Sequence, residues 1–389
     1  MINFKVILNV LGILLLALSA LMLFPLIADL IKDNSTWMSF VISLGITASA
    51  GITLILSTRD EKNKKLIMQD AFLITTLSWV FVCFFGSLPF YLSDINFSFT
   101  DSIFESMSGV TTTGSTIIQD VESMPHGILI WRALLQWIGG VGIIVMAVSI
   151  LPVLQVGGMQ VFRTESSDTT EKILPKTTQI ASAVILIYLI LTLLCLISYW
   201  IFGMNLFDAL VHSMTTIATG GFSSKNESLA SFNIHSLEYI SCLFMIISSL
   251  PILIYLEVWN GKFKKILNDT QITTFIYLVL ASSMLVILYL WLNDIKNIED
   301  SIRLGLFNVI SIITGTGYTT DNFNLWGPFP IYLLFFGMFI GGCAGSTTCG
   351  IKIFRFQILF ETLKNQIQKL LHPHGVFVPH YNHKKLENE

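Results

Sequence analysis

The stretch Glu105-Ser-Met-Ser-Gly-Val-Thr-Thr-Thr-Gly114 decides how the chain is read, because it recurs as His212-Ser-Met-Thr-Thr-Ile-Ala-Thr-Gly-Gly221 and as Asn308-Val-Ile-Ser-Ile-Ile-Thr-Gly-Thr-Gly317. In each copy a polar residue stands nine positions before a glycine. The first two copies also share an aspartate thirteen positions before it, Asp101 and Asp208. Ser115-Thr116, Phe222-Ser223 and Tyr318-Thr319 follow the three glycines. The glycines are 107 and 96 residues apart, which leaves room for two membrane spans between successive copies. Self-similarity at such a period marks a repeat architecture.

Outward from each copy the chain turns apolar: residues 66–92, 182–204 and 272–292 precede the three copies, and 126–155, 236–259 and 328 onward follow them. Residues 6–30 and 38–55 form two further apolar stretches in front. About 20 apolar residues cross a ~30 Å hydrocarbon core, so these are spans. The first is too long for the apolar region of a signal peptide and reads as a retained anchor helix. Of the 389 residues 53% are hydrophobic and only 12% charged, where soluble domains carry roughly a quarter, which excludes a soluble fold. The fold class expected is an all-α polytopic membrane protein. Two N-terminal helices occupy 1–57. Three M1, pore loop, M2 repeats follow at 66–155, 178–260 and 270–371, and 372–389 form a polar cytoplasmic tail.

Charge placement says whether the repeated loops cross or return. If they dip in and return, 17 of the 22 Lys and Arg residues lie on one side, among them Lys5, Arg59, Lys62, Lys64, Lys65, Arg163, Lys172, Lys176, Lys262 and Lys352. Basic loops stay cytoplasmic. Eight spans with both termini inside then satisfy the rule, whereas full crossing scatters the charges over both faces.

Returning backbone at membrane depth must line something wet. Rings of carbonyls can replace the hydration shell of a cation if the backbone is extended. Glycine reaches positive φ without steric cost, and threonine adds hydroxyl oxygens. Thr111, Thr112, Thr113 and Gly114, Ala218, Thr219, Gly220 and Gly221, and Thr314, Gly315, Thr316 and Gly317 are therefore the expected cation ligands of a pore. The half-helices before them aim their negative ends at its centre. A second feature interrupts the last M2 span, where Ile340-Gly-Gly-Cys-Ala-Gly-Ser-Thr-Thr-Cys-Gly350 loosens the helix. Gly341, Gly342, Gly345, Ser346, Thr347 and Gly350 read as a flexible intramembrane gate. A small-residue helix contact is the alternative.

Arg132, between Trp131 and Trp137, is expected to snorkel to the interface. Glu105, His212 and Asn308 either bond the backbone framing the loops or pack as ordinary pore-helix residues. The five cysteines show no C-x-x-C spacing and read as buried thiols. His372, His374, His380 and His383 read as a solvated tail, not a metal site. No phosphate-binding or metalloprotease motif is present, so the protein is not expected to be an enzyme. No cofactor and no nucleic acid is expected.

Phe104 to Gly114, Trp131-Arg-Ala-Leu-Leu-Gln-Trp-Ile-Gly-Gly-Val-Gly142, Ala218-Thr-Gly-Gly-Phe-Ser223 and Phe339-Ile-Gly-Gly-Cys-Ala-Gly-Ser-Thr347 closely resemble the TrkH/KtrB family of potassium-translocating membrane subunits. The two extra N-terminal spans resemble its TrkH branch. That resemblance implies K⁺ as the ion, Gly114, Gly221 and Gly317 as filter glycines, and 340–350 as the family's gating loop. It also implies a homodimer in the cytoplasmic (cell inner) membrane, bound on the cytosolic side by nucleotide-binding, TrkA-like regulatory subunits. The family carries four M1, pore loop, M2 units, and here a fourth is lacking. The family's gating loop usually has further glycines where Thr348 and Cys349 stand, and its second M2 usually a polar, Asn-containing break where Ser248-Ser-Leu-Pro-Ile-Leu253 stands. The chain is expected to take up potassium as the pore-forming subunit of a Trk-type system. The alternative is a truncated, non-conducting relative or a partial pore completed by another chain.

Overall fold

Backbone amides in hydrocarbon have no water to bond, so apolar spans pair them internally as helices. A computed structural model of the chain shows these helices and describes residues 2–58, 68–149, 177–375, 377, 380–381 and 384–385. Arg59, Lys62, Lys64, Lys65, Arg163, Lys172 and Lys176, part of the charge argument for re-entry, lie outside the described residues, as do 150–155 of the first M2 span and His383 of the tail.

The N-terminal helices are α1 (Phe4–Leu21), α2 (Leu23–Ile31) and α3 (Trp37–Ser57). The first repeat supplies α4 (Met68–Leu92), α5 (Phe99–Val110) and α6 (His126–Ser149). The second supplies α7 (Thr177–Ile201), α8 (Leu206–Ile217), α9 (His235–Ser248) and α10 (Ile254–Trp259). A short α11 (Lys264–Asn268) leads to the third, with α12 (Thr270–Leu292), α13 (Ile298–Ile313), α14 (Pro328–Gly337) and α15 (Ile353–Leu371). In the tail, β1 (His380–Tyr381) and β2 (Lys384–Lys385) pair antiparallel. Among the described residues, five helical segments are long and apolar enough to cross a membrane: Phe4–Ile31, Trp37–Ser57, Gln69–Leu92, Ala181–Ile201 and Thr270–Leu292.

The M2 span of the second repeat departs from the continuous helix that its hydropathy suggests, and that of the third is interrupted where its glycine-rich run falls. Each is two helices joined by irregular backbone, at 249–253 and at 338–352. In the first case Pro251 cannot donate to the helix ladder. Ser248 and Ser249 turn their hydroxyls back onto the Met245 carbonyl, at 3.0 and 2.7 Å, a bond that competes with helical pairing.

The chain divides into two compact units, Met1–Val156 with Thr192–Asn233, and Gly157–Leu191 with Ile234–Glu389. These cut across the sequence repeats, since the second repeat has its pore loop in one and its M2 in the other. In the first unit α1 and α3 approach closely through Gly12 and Gly51, where a Cβ on either would stand 2.9 Å from the other's carbonyl oxygen. Leu15, Leu18, Met22, Phe40, Phe90, Val110, Trp131 and Leu135 form its buried core. Asp29, fully buried on α2, accepts from the Gly127 amide at 2.7 Å at the start of α6. It thereby supplies the negative charge that a helix N-terminus favours. In the second unit α13 packs against α9, α12 and α14.

Candidate pore loops and intramembrane breaks

The three short helices α5, α8 and α13 begin alike. Ser98, Asn205 and Asn297 cap them, each accepting from the amide of an aspartate three residues on, Asp101, Asp208 and Asp300. The aspartate side chains bond back to the caps, the Asp101 carboxylate accepting from the Ser98 amide and hydroxyl at 3.0 and 2.7 Å. Acidic residues thus sit at the positive ends of all three helices, and the negative ends face the loops. The third aspartate escaped the sequence comparison because α13 has 16 residues where α5 and α8 have 12, so Asp300 stands one helical turn further from its glycine.

The helices also end alike. Thr112 and Thr113 donate to the Gly109 and Ser108 carbonyls, and Thr219 and Gly220 to those of Thr216 and Thr215. This is the paired-bond helix ending that requires a left-handed residue. In loop 3 Gly315 donates to Ile312, and Gly317 to Ser311. Left-handed φ follows in register: Thr112 at 55° and Gly114 at 79°, Thr219 at 51° and Gly221 at 75°, Gly315 at 72° and Gly317 at 82°. Two residues before the repeated glycine, then, loops 1 and 2 hold a threonine in a conformation that it rarely adopts, where loop 3 has Gly315. Strain of that kind persists only where surrounding structure enforces it, and it clusters at functional sites.

What enforces it lies behind the loops. The buried Glu105 accepts from the Thr116 hydroxyl at 2.9 Å and the Ile117 amide at 3.2 Å. His212 faces the Asp208 carbonyl with Nδ1 and the Ser223 hydroxyl with Nε2 at 3.0 Å. A carbonyl only accepts, which puts the ring proton on Nδ1 and leaves Nε2 to accept from Ser223. Asn308 donates to the Thr320 hydroxyl at 2.9 Å. One position on each pore helix therefore ties down the segment just past its glycine, so the bonding reading of these residues holds over plain packing. Ser108 and Ser311, six residues before their glycines, donate to the Ser115 and Tyr318 carbonyls at 2.5 and 2.6 Å.

Arg132 does not snorkel. It is 2% exposed, its Nε donating to Glu105 at 2.7 Å and its Nη1 to the Ser223 carbonyl at 3.2 Å, with the guanidinium 4.0 Å from the Phe222 ring centre. The charge stays inside because a buried carboxylate meets it there, which sequence separation concealed. One turn on, Gln136 is also fully buried. It donates to the Gly220 carbonyl at 2.6 Å and accepts from the Phe222 amide at 3.1 Å. In the sequence Gln136 is marked only by its spacing from Arg132, since two polar residues four apart in an apolar span are costly enough to ask for partners. Further out, the Asn226 amide donates to Asp120 at 2.9 Å and holds that carboxyl below its ordinary value.

In the second unit the two M2 breaks satisfy one another. Cys343 donates to the Ser249 carbonyl at 3.0 Å, Ile252 to the Gly345 carbonyl at 3.0 Å, and the Thr347 hydroxyl to Ser248 at 3.2 Å. The stretch closes on itself where Gly341 donates to Ile351 and Ile351 to Phe339, each at 2.9 Å. Thr348 is its clasp: its hydroxyl accepts from the Gly342 amide at 3.0 Å and the Lys352 ammonium at 2.9 Å. The segment abuts loop 3, since a Cβ on Gly315 would lie 3.4 Å from that of Cys349. Cys349 is exposed, unlike the other four cysteines.

A family profile described as TrkH, cation transport protein, matches residues 37–389. The Trk system potassium uptake protein TrkI of Halomonas elongata is 39% identical over 386 residues, 98% of this chain and 78% of that protein. The potassium uptake protein TrkH of Escherichia coli is 36% identical over 380 residues, again covering 78% of its own length. The crystal structure of the potassium transporter TrkH from Vibrio parahaemolyticus superposes with a TM-score of 0.89 at 34% identity, covering 97% of this chain and 78% of that one.

Proposed function

The chain belongs to the TrkH family of cation transport proteins, and on that premise we propose that it takes up potassium across the cytoplasmic membrane. The observation that carries this reading is the in-register left-handed backbone at all three loops, each behind a helix whose negative end faces it. A cation that sheds water needs oxygens in compensation. Alternating left-handed and ordinary conformations turn successive peptide groups the same way, so a loop can offer several carbonyls to one ion. Thr111 to Gly114, Ala218 to Gly221 and Thr314 to Gly317 are the segments so built.

Flux is controlled in this reading at 340–350. Its bonds to 248–252 and its contact with Gly315 make it the irregular segment next to a loop, and Gly341, Gly342, Gly345, Ser346, Thr347 and Gly350 are the gate residues. Both termini face the cytoplasm, where the basic loops gather. The chain works as a homodimer with cytosolic nucleotide-binding regulatory subunits, the assembly that the family resemblance implies. The test is growth of a potassium-uptake-deficient bacterium at low external K⁺. Expression of this chain is expected to restore growth; failure with the protein demonstrably in the membrane overturns the reading.

A further inference from the structure

Two of the three loops brace themselves and one cannot. In loop 1 the hydroxyls of Thr111 and Thr113 bond at 2.8 Å, and in loop 3 those of Thr314 and Thr316 bond at 2.9 Å. These residues stand three and one positions before the repeated glycine. In loop 2 the same positions are Ala218 and Gly220, and neither carries a hydroxyl.

The brace of loop 2 comes from another element. Gln136 reaches in from α6, and a Cβ at Gly220 would stand 2.4 Å from its amide carbon, so the side chain occupies room that only glycine leaves. Its NH₂ donates to the Gly220 carbonyl and its oxygen accepts from the Phe222 amide, so one planar group grips the backbone on both sides of Gly221. The Gly220 carbonyl also lies against loop 1, where a Cβ on Gly114 would meet its oxygen at 2.2 Å. The same hydrogen bond therefore registers loop 2 against loop 1.

We infer that Gln136 is a positioning residue for ion discrimination: it stands in for the missing threonine pair and sets where loop 2 presents its carbonyls. The inference rests on the proposed function, since it assumes that the loops carry the ion. The chemistry restricts the residue type. A side-chain amide supplies a donor and an acceptor on one rigid plane, an ionised glutamate supplies acceptors alone, and methionine neither strong donor nor strong acceptor at similar length. Without the donor, the Gly220 carbonyl is released to turn, and the ligand spacing on which a choice between K⁺ and Na⁺ depends relaxes.

The experiment compares the full-length protein with Gln136→Met and Gln136→Glu in proteoliposomes, reading initial K⁺ uptake against Na⁺ uptake in the same preparation. The ratio does not depend on how many copies are folded. Both variants are expected to pass cations with the K⁺/Na⁺ ratio reduced about tenfold, equivalent to about 1.4 kcal/mol of discrimination. A role confined to folding would lower both fluxes together, so a wild-type ratio in either variant overturns the inference and leaves the proposed function standing. Wild-type protein that moves neither ion overturns both. As a second readout, K⁺ is expected to raise the melting temperature of the detergent-solubilised wild type more than Na⁺ does. Loss of that difference in both variants supports the inference, and its persistence in either counts against it.

Discussion

Glycines alike in sequence serve for different reasons. Gly317 sits at φ 82° with nothing within 4 Å of where a Cβ would be, so its requirement is conformational alone. Gly114 sits at φ 79° and in addition faces the Gly220 oxygen at 2.2 Å from a would-be Cβ. Gly317→Ala is accordingly expected to cost about 1–2 kcal/mol, the strain of a left-handed L-residue, and to leave measurable uptake. Gly114→Ala must also displace backbone, which cannot swing aside like a flexible side chain. It is expected to abolish uptake, as a comparison of initial K⁺ rates per inserted protein would show. That a glycine was needed at both places could be read from the repeats. The second reason at Gly114 could not, because Gly220 is 106 positions away and meets it only after folding.

Among elements, the pairing of α5 with α6 depends on charge. Glu105 and Arg132 are 0% and 2% exposed, and breaking a buried pair from one side leaves the survivor uncompensated. Arg132→Met is expected to destabilise by about 3–5 kcal/mol. Glu105→Gln combined with Arg132→Met is expected to cost less than Arg132→Met alone, since no net charge then stays buried. Thermal unfolding in detergent measures both, and a double variant less stable than the single would contradict the account. The intramembrane break offers a second measurement. Thr348→Val keeps the shape of the side chain but removes the acceptor of the Gly342 amide, a loss of about 1–3 kcal/mol when that amide is buried. Hydrogen exchange is expected to quicken across 341–352 and to stay unchanged in α12. The glycine-rich run 340–350 announced this break in sequence. The break at 249–253 showed in the sequence only through a proline in an apolar span and through the family's break at that place, because what stabilises it is the segment 343–347, about 95 residues later.

For the whole molecule, the outward faces of the long helices are apolar, as a bilayer demands. Leu193, 55% exposed on α7, shows the consequence. On a soluble surface Leu→Lys is usually within about 0.5 kcal/mol of neutral, but a lysine in mid-span costs roughly 2.5–3.5 kcal/mol of insertion. Leu193→Lys is therefore expected to lower the alkali-resistant membrane fraction several-fold, while the total chain synthesised stays constant. The helical, membrane-embedded class, the three-fold recurrence of the loops and the irregular stretch at 340–350 follow from the sequence by itself. Span length, polar spacing and glycine content are local properties, and a period repeats whatever the chain does in space. The tertiary structure alone decided that Arg132 turns inward, that Gln136 grips the loop of a neighbouring repeat, that two helix breaks satisfy each other, and that the compact units ignore the repeat boundaries. The first three of these depend on a polar group finding a partner far along the chain in a medium without water, and the last on how the helices pack. The cost of leaving such a group unpaired is local, but where its partner lies is settled only when the helices pack.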